Sequence, residues 1–337
     1  MSLIDGYDRQ HRDLRVSVTD KCSLRCAYCM PAEGLPWLPS QEILSQDELI
    51  RLVGLAVQSG ISSVRLTGGE PLLRTDIVEI VHAIKSLRDA PSVAMTTNGL
   101  RLTELAQDLA TAGLDRVNVS LDTLQPDRFA QMTRRNQLPQ TLAGIAAAQA
   151  AGLEPVKVNA VLLRDVNQAD AADLLAWALT VGVQLRFIEQ MPLDPQHSWT
   201  AADFVSVSEI LAQLTSAGFR LIAQPRRDAA PASQWRITEV PAGITPVDSE
   251  PRLGVVASVS DPFCGSCDRL RLTADGQFRS CLFARKETDL RTPLRAGASD
   301  AELLALMRLD LAAKARGHGI DEPGFTQPDR PMSAIGG

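Results

Sequence analysis

From residue 14 to about 191 the chain alternates short β-rich runs with stretches whose apolar positions recur at helical spacing. Strands are predicted over 14–19, 63–67, 92–96, 116–121, 156–162 and 184–189. Helices fall between them, for example over 46–59, opened by the capping box of Ser45 and Glu48 and closed by Gly60, and over 169–181, closed by Gly182. Strand–helix units in unbroken succession imply a parallel sheet with right-handed crossovers, as an open or closed barrel.

Within the strands a second period appears. Arg15, Ser17 and Thr19 share one face and Leu14, Val16 and Val18 the other. The same division sets Ser63, Arg65 and Thr67 apart from their neighbours, Arg116, Asn118 and Ser120 against Val117, Val119 and Leu121, and Lys157 and Asn159 against Val156, Val158 and Ala160. A closed eight-stranded barrel fills its interior with branched apolar side chains. Here, with the apolar face under the helices, the interior is expected to be a wet, cationic cavity. An antiparallel sheet with one solvated face is the competing arrangement, and the intervening helices weigh against it.

Beyond about residue 195 the rhythm breaks. One more helix is predicted over 205–219, a loop over 225–231, and strands over 235–240 and 253–259. LRLTADGQFRSCLF then reads as a hairpin turning at Asp275-Gly276, followed by a helix over 300–316 and an extended, proline-containing end. The expected division is 1–220 for the barrel and 221–337 for a smaller C-terminal domain.

Composition narrows the function classes. At 337 residues and 45% hydrophobic content the chain can bury a full core. A net charge of −6 argues against a general nucleic-acid binder. The first twenty residues carry charge throughout, and no apolar run approaches the length that spans a bilayer, so no membrane role and a cytoplasmic location are expected. In that compartment six cysteines read as metal ligands or catalytic groups rather than disulfides.

The cysteines form two trios. Cys22, Cys26 and Cys29 have the spacing C-x3-C-x2-C directly after the first strand, at the strand end where barrels collect their chemistry. Cys264, Cys267 and Cys281 have C-x2-C-x13-C, and the hairpin through Asp275-Gly276 returns Cys281 to the other two. Zinc is one reading, but structural zinc wants four ligands and the four histidines stand in no ligand spacing with either trio. An iron–sulfur cluster with three thiolates and one open iron is the sharper reading, and the plant-type two-iron spacing does not fit.

The C-x3-C-x2-C loop, Tyr28 just before its third cysteine, and Gly68-Gly69-Glu70-Pro71 after the second strand together resemble the radical S-adenosylmethionine superfamily. RDLRVSVTDKCSLRCAYCMP, RLTGGEPLLR, TTNGL, FCGSCDRLRLTADGQFRSCLF and MSAIGG are similar to the branch that converts GTP in molybdenum cofactor biosynthesis. The resemblance implies a partial (βα)6 radical-SAM barrel with a smaller C-terminal cluster-bearing domain, and two [4Fe-4S] clusters with S-adenosylmethionine as cofactors. It implies that Cys22, Cys26 and Cys29 hold the first cluster, and that Tyr28, Gly69, Ser120 and Met191 contact S-adenosylmethionine. Cys264, Cys267 and Cys281 would hold the second cluster, whose open iron meets the guanine. GTP would engage Arg15, Arg65, Thr96, Lys157, Arg186, Arg269, Leu270 and Arg271, and forked guanidinium groups suit a triphosphate with about four negative charges. Gly336 and Gly337 would reach into the active site and assist radical initiation. The implied reaction removes H3′ of GTP and joins C3′ to C8, giving (8S)-3′,8-cyclo-7,8-dihydroguanosine 5′-triphosphate. Implied partners are a second copy of the chain in a homodimer, a reductant such as flavodoxin or ferredoxin, and cyclic pyranopterin monophosphate synthase as recipient of the product. A peptide-modifying radical enzyme with an auxiliary cluster and a cysteine-rich electron carrier are the rival readings.

Overall fold

The structure, a computed structural model, describes residues 2–194, 196–226 and 229–336. Six strands form the centre of the sheet in chain order: β1 (Asp13–Ser17), β2 (Ser63–Thr67), β3 (Ser92–Thr97), β4 (Arg116–Ser120), β5 (Lys157–Leu162) and β6 (Gln184–Glu189). All neighbours among them are parallel. The connecting helices are α1 (Gln46–Gln58), α2 (Ile77–Lys85), α3 (Leu102–Thr111), α4 (Pro126–Thr133), α5 (Leu138–Ala150) and α6 (Ala171–Val181). Parallel pairing demands such crossovers, and the apolar strand faces pack beneath them: Val16, Val64, Leu66, Val93, Val117 and Val158 have no exposed surface. Each such side chain contributes about 1.5–3 kcal/mol on burial.

Local chemistry sets the element ends. Ser45 and Glu48 form the reciprocal capping box of α1, and Gly182, in the left-handed region at φ 75°, ends α6. The predicted 169–181 helix begins two residues later, after a short 3-10 turn over Gln168–Asp170.

The rest of the chain builds onto both edges of this sheet. After α7 (Val207–Ser216), β7 (Arg220–Ala223), β8 (Ser233–Glu239) and β9 (Arg252–Val256) form an antiparallel set that joins β6 through parallel β9. The chain then crosses to the other edge, where β10 (Arg269–Leu272) lies parallel to β1 and carries β11 (Gln277–Arg279) and β12 (Thr288–Asp289) antiparallel beyond it. Helices α8 (Arg291–Arg295), α9 (Asp300–Ala312) and α10 (Met332–Ile335) follow. The result is one twelve-stranded sheet with β12 and β7 at its ends, an α/β partial barrel left open between them. The chain beyond residue 220 is thus continuous with the barrel sheet rather than stacked against it. The predicted hairpin at Asp275-Gly276 is present, with Gly276 at φ 78°. The predicted 300–316 helix stops at Ala312, and no helix among the described residues is long and apolar enough to cross a membrane.

Candidate functional site

One cavity of about 310 Å³ lies inside the barrel, and all six cysteines line it. The first trio enters from the loop after β1. Arg25 folds back to donate to the carbonyls of Cys22 (2.7 Å) and Leu24 (2.9 Å), and Arg134 donates to those of Arg25 (3.0 Å) and Met30 (2.9 Å). Gly68 and Gly69 hold the loop from the other side. The Gly69 amide donates to Thr19 O (2.8 Å) and that of Glu70 to Lys21 O (2.7 Å). A Cβ on Gly69 would lie 2.3 Å from Lys21 O, so the close approach these glycines permit is to the cysteine loop's own backbone. Gly69 also lines the cavity.

The second trio comes from the turn before β10 and the end of β11. Arg9 donates to Cys264 O (2.6 Å), Cys267 N to Cys264 O (3.2 Å), and the Arg269 guanidinium lies over the Phe263 ring at 4.2 Å. His318 lines the cavity beside this trio although its sequence spacing gave no hint of it. Both its ring nitrogens are committed, Nε2 to Ser258 O (2.9 Å) and Nδ1 to the amide of Ile320 (3.0 Å). A Cys₃His zinc site is therefore not built here.

Between the trios runs a row of cations. Arg271, Arg15 and Arg65 are direct neighbours across β10, β1 and β2, and the row continues through Ala94 to Arg116. Arg186 joins from β6, where Gly254 opposite it leaves room: a Cβ there would meet Arg186 Cγ at 3.0 Å. Burial and then Arg269 lower Arg15 to about 9. Burial, together with Arg186 and Arg116, lowers Arg65 to about 10. Burial and neighbouring arginines likewise lower Arg186 to about 10 and Lys157 to about 7. Arg15 Nε, Arg65 Nε and Nη1, and Arg269 Nε are buried without a hydrogen-bond partner, as are the Asn118 and Asn159 oxygens. Buried donors of this kind are costly unless a ligand completes them.

Arg15, Arg65, Thr96, Arg186, Arg269 and Arg271 all line the cavity, as do Tyr28, Gly69, Ser120 and Met191. Two expected residues stand apart. Leu270 faces the core with no exposed surface, because alternation along β10 sends it opposite to Arg269 and Arg271. Lys157 does not line the cavity, although its charge is felt by the Arg186, Arg116 and Arg65 group. At the C-terminus Ser17 Oγ donates to Ile335 O (3.0 Å) and Arg271 donates to Gly336 O. Gly336 is required there, since at φ 89° a Cβ would meet Ser17 Oγ at 2.2 Å. Gly337 lies outside the described residues.

Comparison with known proteins gives two family matches, the Radical SAM superfamily over residues 16–178 and Molybdenum Cofactor Synthesis C over 183–320. A GTP 3′,8-cyclase of Streptomyces coelicolor is 53% identical over 338 residues, covering 99% of this chain and 96% of its own. That of Mycolicibacterium smegmatis is 53% identical, covering 99% and 92%. The chain belongs to the GTP 3′,8-cyclase family. A solved structure, Streptococcus suis SuiB bound to S-adenosylmethionine, shares the fold at a TM-score of 0.57 and 12% identity, covering 89% of this chain and 69% of that one.

Membership in the GTP 3′,8-cyclase family makes this a radical S-adenosylmethionine enzyme with iron–sulfur clusters. The thiols fit that requirement. Burial and Glu70 push Cys22 up to about 11, burial and Cys22 push Cys29 up to about 12, and burial with Asp122 raises Cys26 well above the ordinary thiol value. Thiolates in such surroundings need a strongly cationic partner. Among the described residues no three Cys, His, Asp or Glu side chains converge on a single ion position. A multi-iron cluster, which spreads its thiolates over separate irons, suits the arrangement better than one zinc ion.

Two carboxylates at the site went unassigned in the sequence. Asp122 accepts from the Tyr28 hydroxyl (2.8 Å) and the Val161 amide (2.8 Å), and burial raises it to about 6. Glu70 accepts from Leu72 N (3.0 Å), Thr97 Oγ1 (2.6 Å) and Asn98 N (2.7 Å), and burial raises it to about 7. Asp122 continues the polar face of β4 two residues past Ser120, which is the one signal that pointed to it.

Proposed function

We propose that this chain cyclises GTP to (8S)-3′,8-cyclo-7,8-dihydroguanosine 5′-triphosphate, an early step of molybdenum cofactor biosynthesis. The observation that carries the reading is the row Arg271–Arg15–Arg65, with guanidinium nitrogens of Arg15 and Arg65 left unpartnered, lying between two cysteine trios in one cavity.

In this reading Cys22, Cys26 and Cys29 hold the [4Fe-4S] cluster that binds S-adenosylmethionine, with Tyr28, Gly69, Ser120 and Met191 around the cofactor. Cys264, Cys267 and Cys281 hold the second cluster, at the guanine. When bound, the first cluster would supply the electron that cleaves S-adenosylmethionine to methionine and a 5′-deoxyadenosyl radical; loss of H3′ to that radical would let C3′ bond to C8, and the radical left on the guanine would be quenched by a second electron from the reductant and a proton at N7. The chain's own residues have to place that hydrogen and keep the radical from other partners. Arg15, Arg65, Arg269 and Arg271 neutralise the triphosphate and so set where along the lumen the ribose stops. Thr96 and Arg186 contribute hydrogen bonds at the same end, and Lys157, set back from the cavity, contributes charge. Leu270 can take part through its backbone alone. Asp122 fixes the Tyr28 ring at the cofactor end. Gly336, held by Arg271, carries the tail into the lumen, where it contributes backbone groups and excludes water.

The division at about residue 220 assigns the first cluster to the barrel and the second cluster with most of the triphosphate contacts to the C-terminal part. A homodimer, reduction by a flavodoxin or ferredoxin, cytoplasmic location and transfer of the product to cyclic pyranopterin monophosphate synthase complete the proposal. The test is anaerobic incubation of the reconstituted protein with S-adenosylmethionine, dithionite and GTP. The cyclised triphosphate should form with 5′-deoxyadenosine in equal amounts. A modified peptide, or 5′-deoxyadenosine formed without consumption of GTP, would return the assignment to one of the rival radical enzymes.

A further inference from the structure

The C-terminal tail, which reaches the lumen at Gly336, passes a fixed point, Arg330. Its guanidinium makes a forked pair with Asp275, Nη1 to Oδ1 and Nη2 to Oδ2 at 3.0 Å each, and Nη2 also reaches Glu287 Oε2 at 2.9 Å. Asp275 sits in the turn between β10 and β11, where the Thr273 hydroxyl donates to it at 2.5 Å. Glu287 accepts through its other oxygen from Arg279, and Arg279 Nη2 donates to the carbonyls of Leu282 and Ala284, just beyond Cys281. The network therefore ties the tail to the hairpin that carries both Arg271 and Cys281.

Its strength follows from its shielding. The Arg330, Asp275 and Glu287 side chains are 24%, 11% and 18% exposed, and their geometry is forked, unlike the flexible surface pairs that contribute little. Burial pushes Asp275 up, but the bonds from Arg330 and Thr273 prevail and hold it below the usual carboxylate range.

Further along the tail Ile335 is buried, and the polar contacts are weaker than the Arg330 fork. Past Arg330 they are single bonds: the Ser333 amide to the Cys29 sulfur, Ser17 to Ile335 O, and Arg271 to Gly336 O. Cys29 and Arg271 are groups that a cluster and a triphosphate would themselves engage. Neither Asp275 nor Glu287 lines the cavity, so their hold on Arg330 persists when the cavity fills.

We propose that Arg330 is the positioning residue that latches the C-terminal tail into the lumen, through Asp275 and Glu287. The proposal rests on the function above only in taking the tail to act there. Hydrogen exchange followed by mass spectrometry on the full-length, cluster-reconstituted protein tests it without calling on GTP chemistry. In Arg330→Ala the amides of residues 332–336 should exchange at least about tenfold faster than in the wild type, because the lost forked bonds join charged groups. Segments 269–281 and 300–312 should keep wild-type exchange, and iron content should be unchanged. Asp275→Asn with Glu287→Gln, which keeps side-chain volume, should release the tail in the same way if Arg330→Ala folds poorly. A short peptide of residues 331–337 added in trans should restore GTP-dependent 5′-deoxyadenosine formation to either variant. Wild-type protection of 332–336 in both variants would overturn the latch. Equal loss of protection across the tail and the 269–281 hairpin would overturn it too, assigning Arg330 to the hairpin alone. Normal tail release with no conversion of GTP by the wild type would instead count against the proposed function and leave the latch standing.

Discussion

Lys157 sits near Arg65, Arg116 and Arg186, and burial with those charges has lowered it to about 7. A bound triphosphate reverses the repulsion and raises that value, so GTP binding takes up a proton near neutral pH. The favourable contribution is complete below pH 7, where the free amine is already charged, and is lost as the pH rises through the higher value of the complex. Calorimetry in two buffers of different ionisation enthalpy should therefore show proton uptake at pH 8, and Lys157→Met should abolish it. Arg269→Ala or Arg271→Ala removes charge-assisted bonds worth about 1.5–3 kcal/mol and should raise the GTP dissociation constant roughly 10- to 150-fold with iron content unchanged. Loss of iron at unchanged GTP affinity would make these residues structural. Cys26→Ser removes one of three thiols that face the first site. It should deprive that site of its cluster and bring 5′-deoxyadenosine formation to background, measured by chromatography.

At the scale of elements, the glycines carry the sharpest expectations. Gly336→Ala would place a methyl within 2.2 Å of Ser17 Oγ at a φ that L-residues rarely adopt. The tail should leave the lumen, suppressing GTP-dependent 5′-deoxyadenosine formation at least tenfold with near-normal iron and GTP affinity, whereas full activity would mark the tail as passive. Period-two alternation made the lumen legible: Arg15, Arg65, Ser120 and Asn159 all face the cavity as their strand parity required. The same rule, applied to β10, places Leu270 in the core although it stands between two cavity arginines. Strands β2 and β6 have the predicted bounds because in SVRLT and QLRFIE buried apolar positions alternate with more exposed polar ones. What was not legible is long-range. Nothing in the local pattern says that β10 pairs with β1 across some 250 residues, that His318 folds against the second trio, or that Arg330 meets Asp275 and Glu287. The close approach that Gly68 and Gly69 permit, to the backbone of Thr19–Lys21, is likewise a contact made only by folding.

In the whole molecule the late segment extends both edges of the sheet formed by the first six strands. β9 extends it after β6 and β10 extends it before β1, which brings Cys264, Cys267 and Cys281 to the same cavity as Cys22, Cys26 and Cys29. Cofactor and substrate can then meet inside one lumen without exchange through solvent, and that shared lumen is the central claim. It is tested most directly by supplying GTP deuterated at C3′ to the reduced, reconstituted protein with S-adenosylmethionine and weighing the 5′-deoxyadenosine by mass spectrometry. The account predicts one deuterium per 5′-deoxyadenosine, matched by loss of that deuterium from the cyclised product. Unlabelled 5′-deoxyadenosine alongside the cyclised product, with the deuterium recovered in solvent, would contradict it.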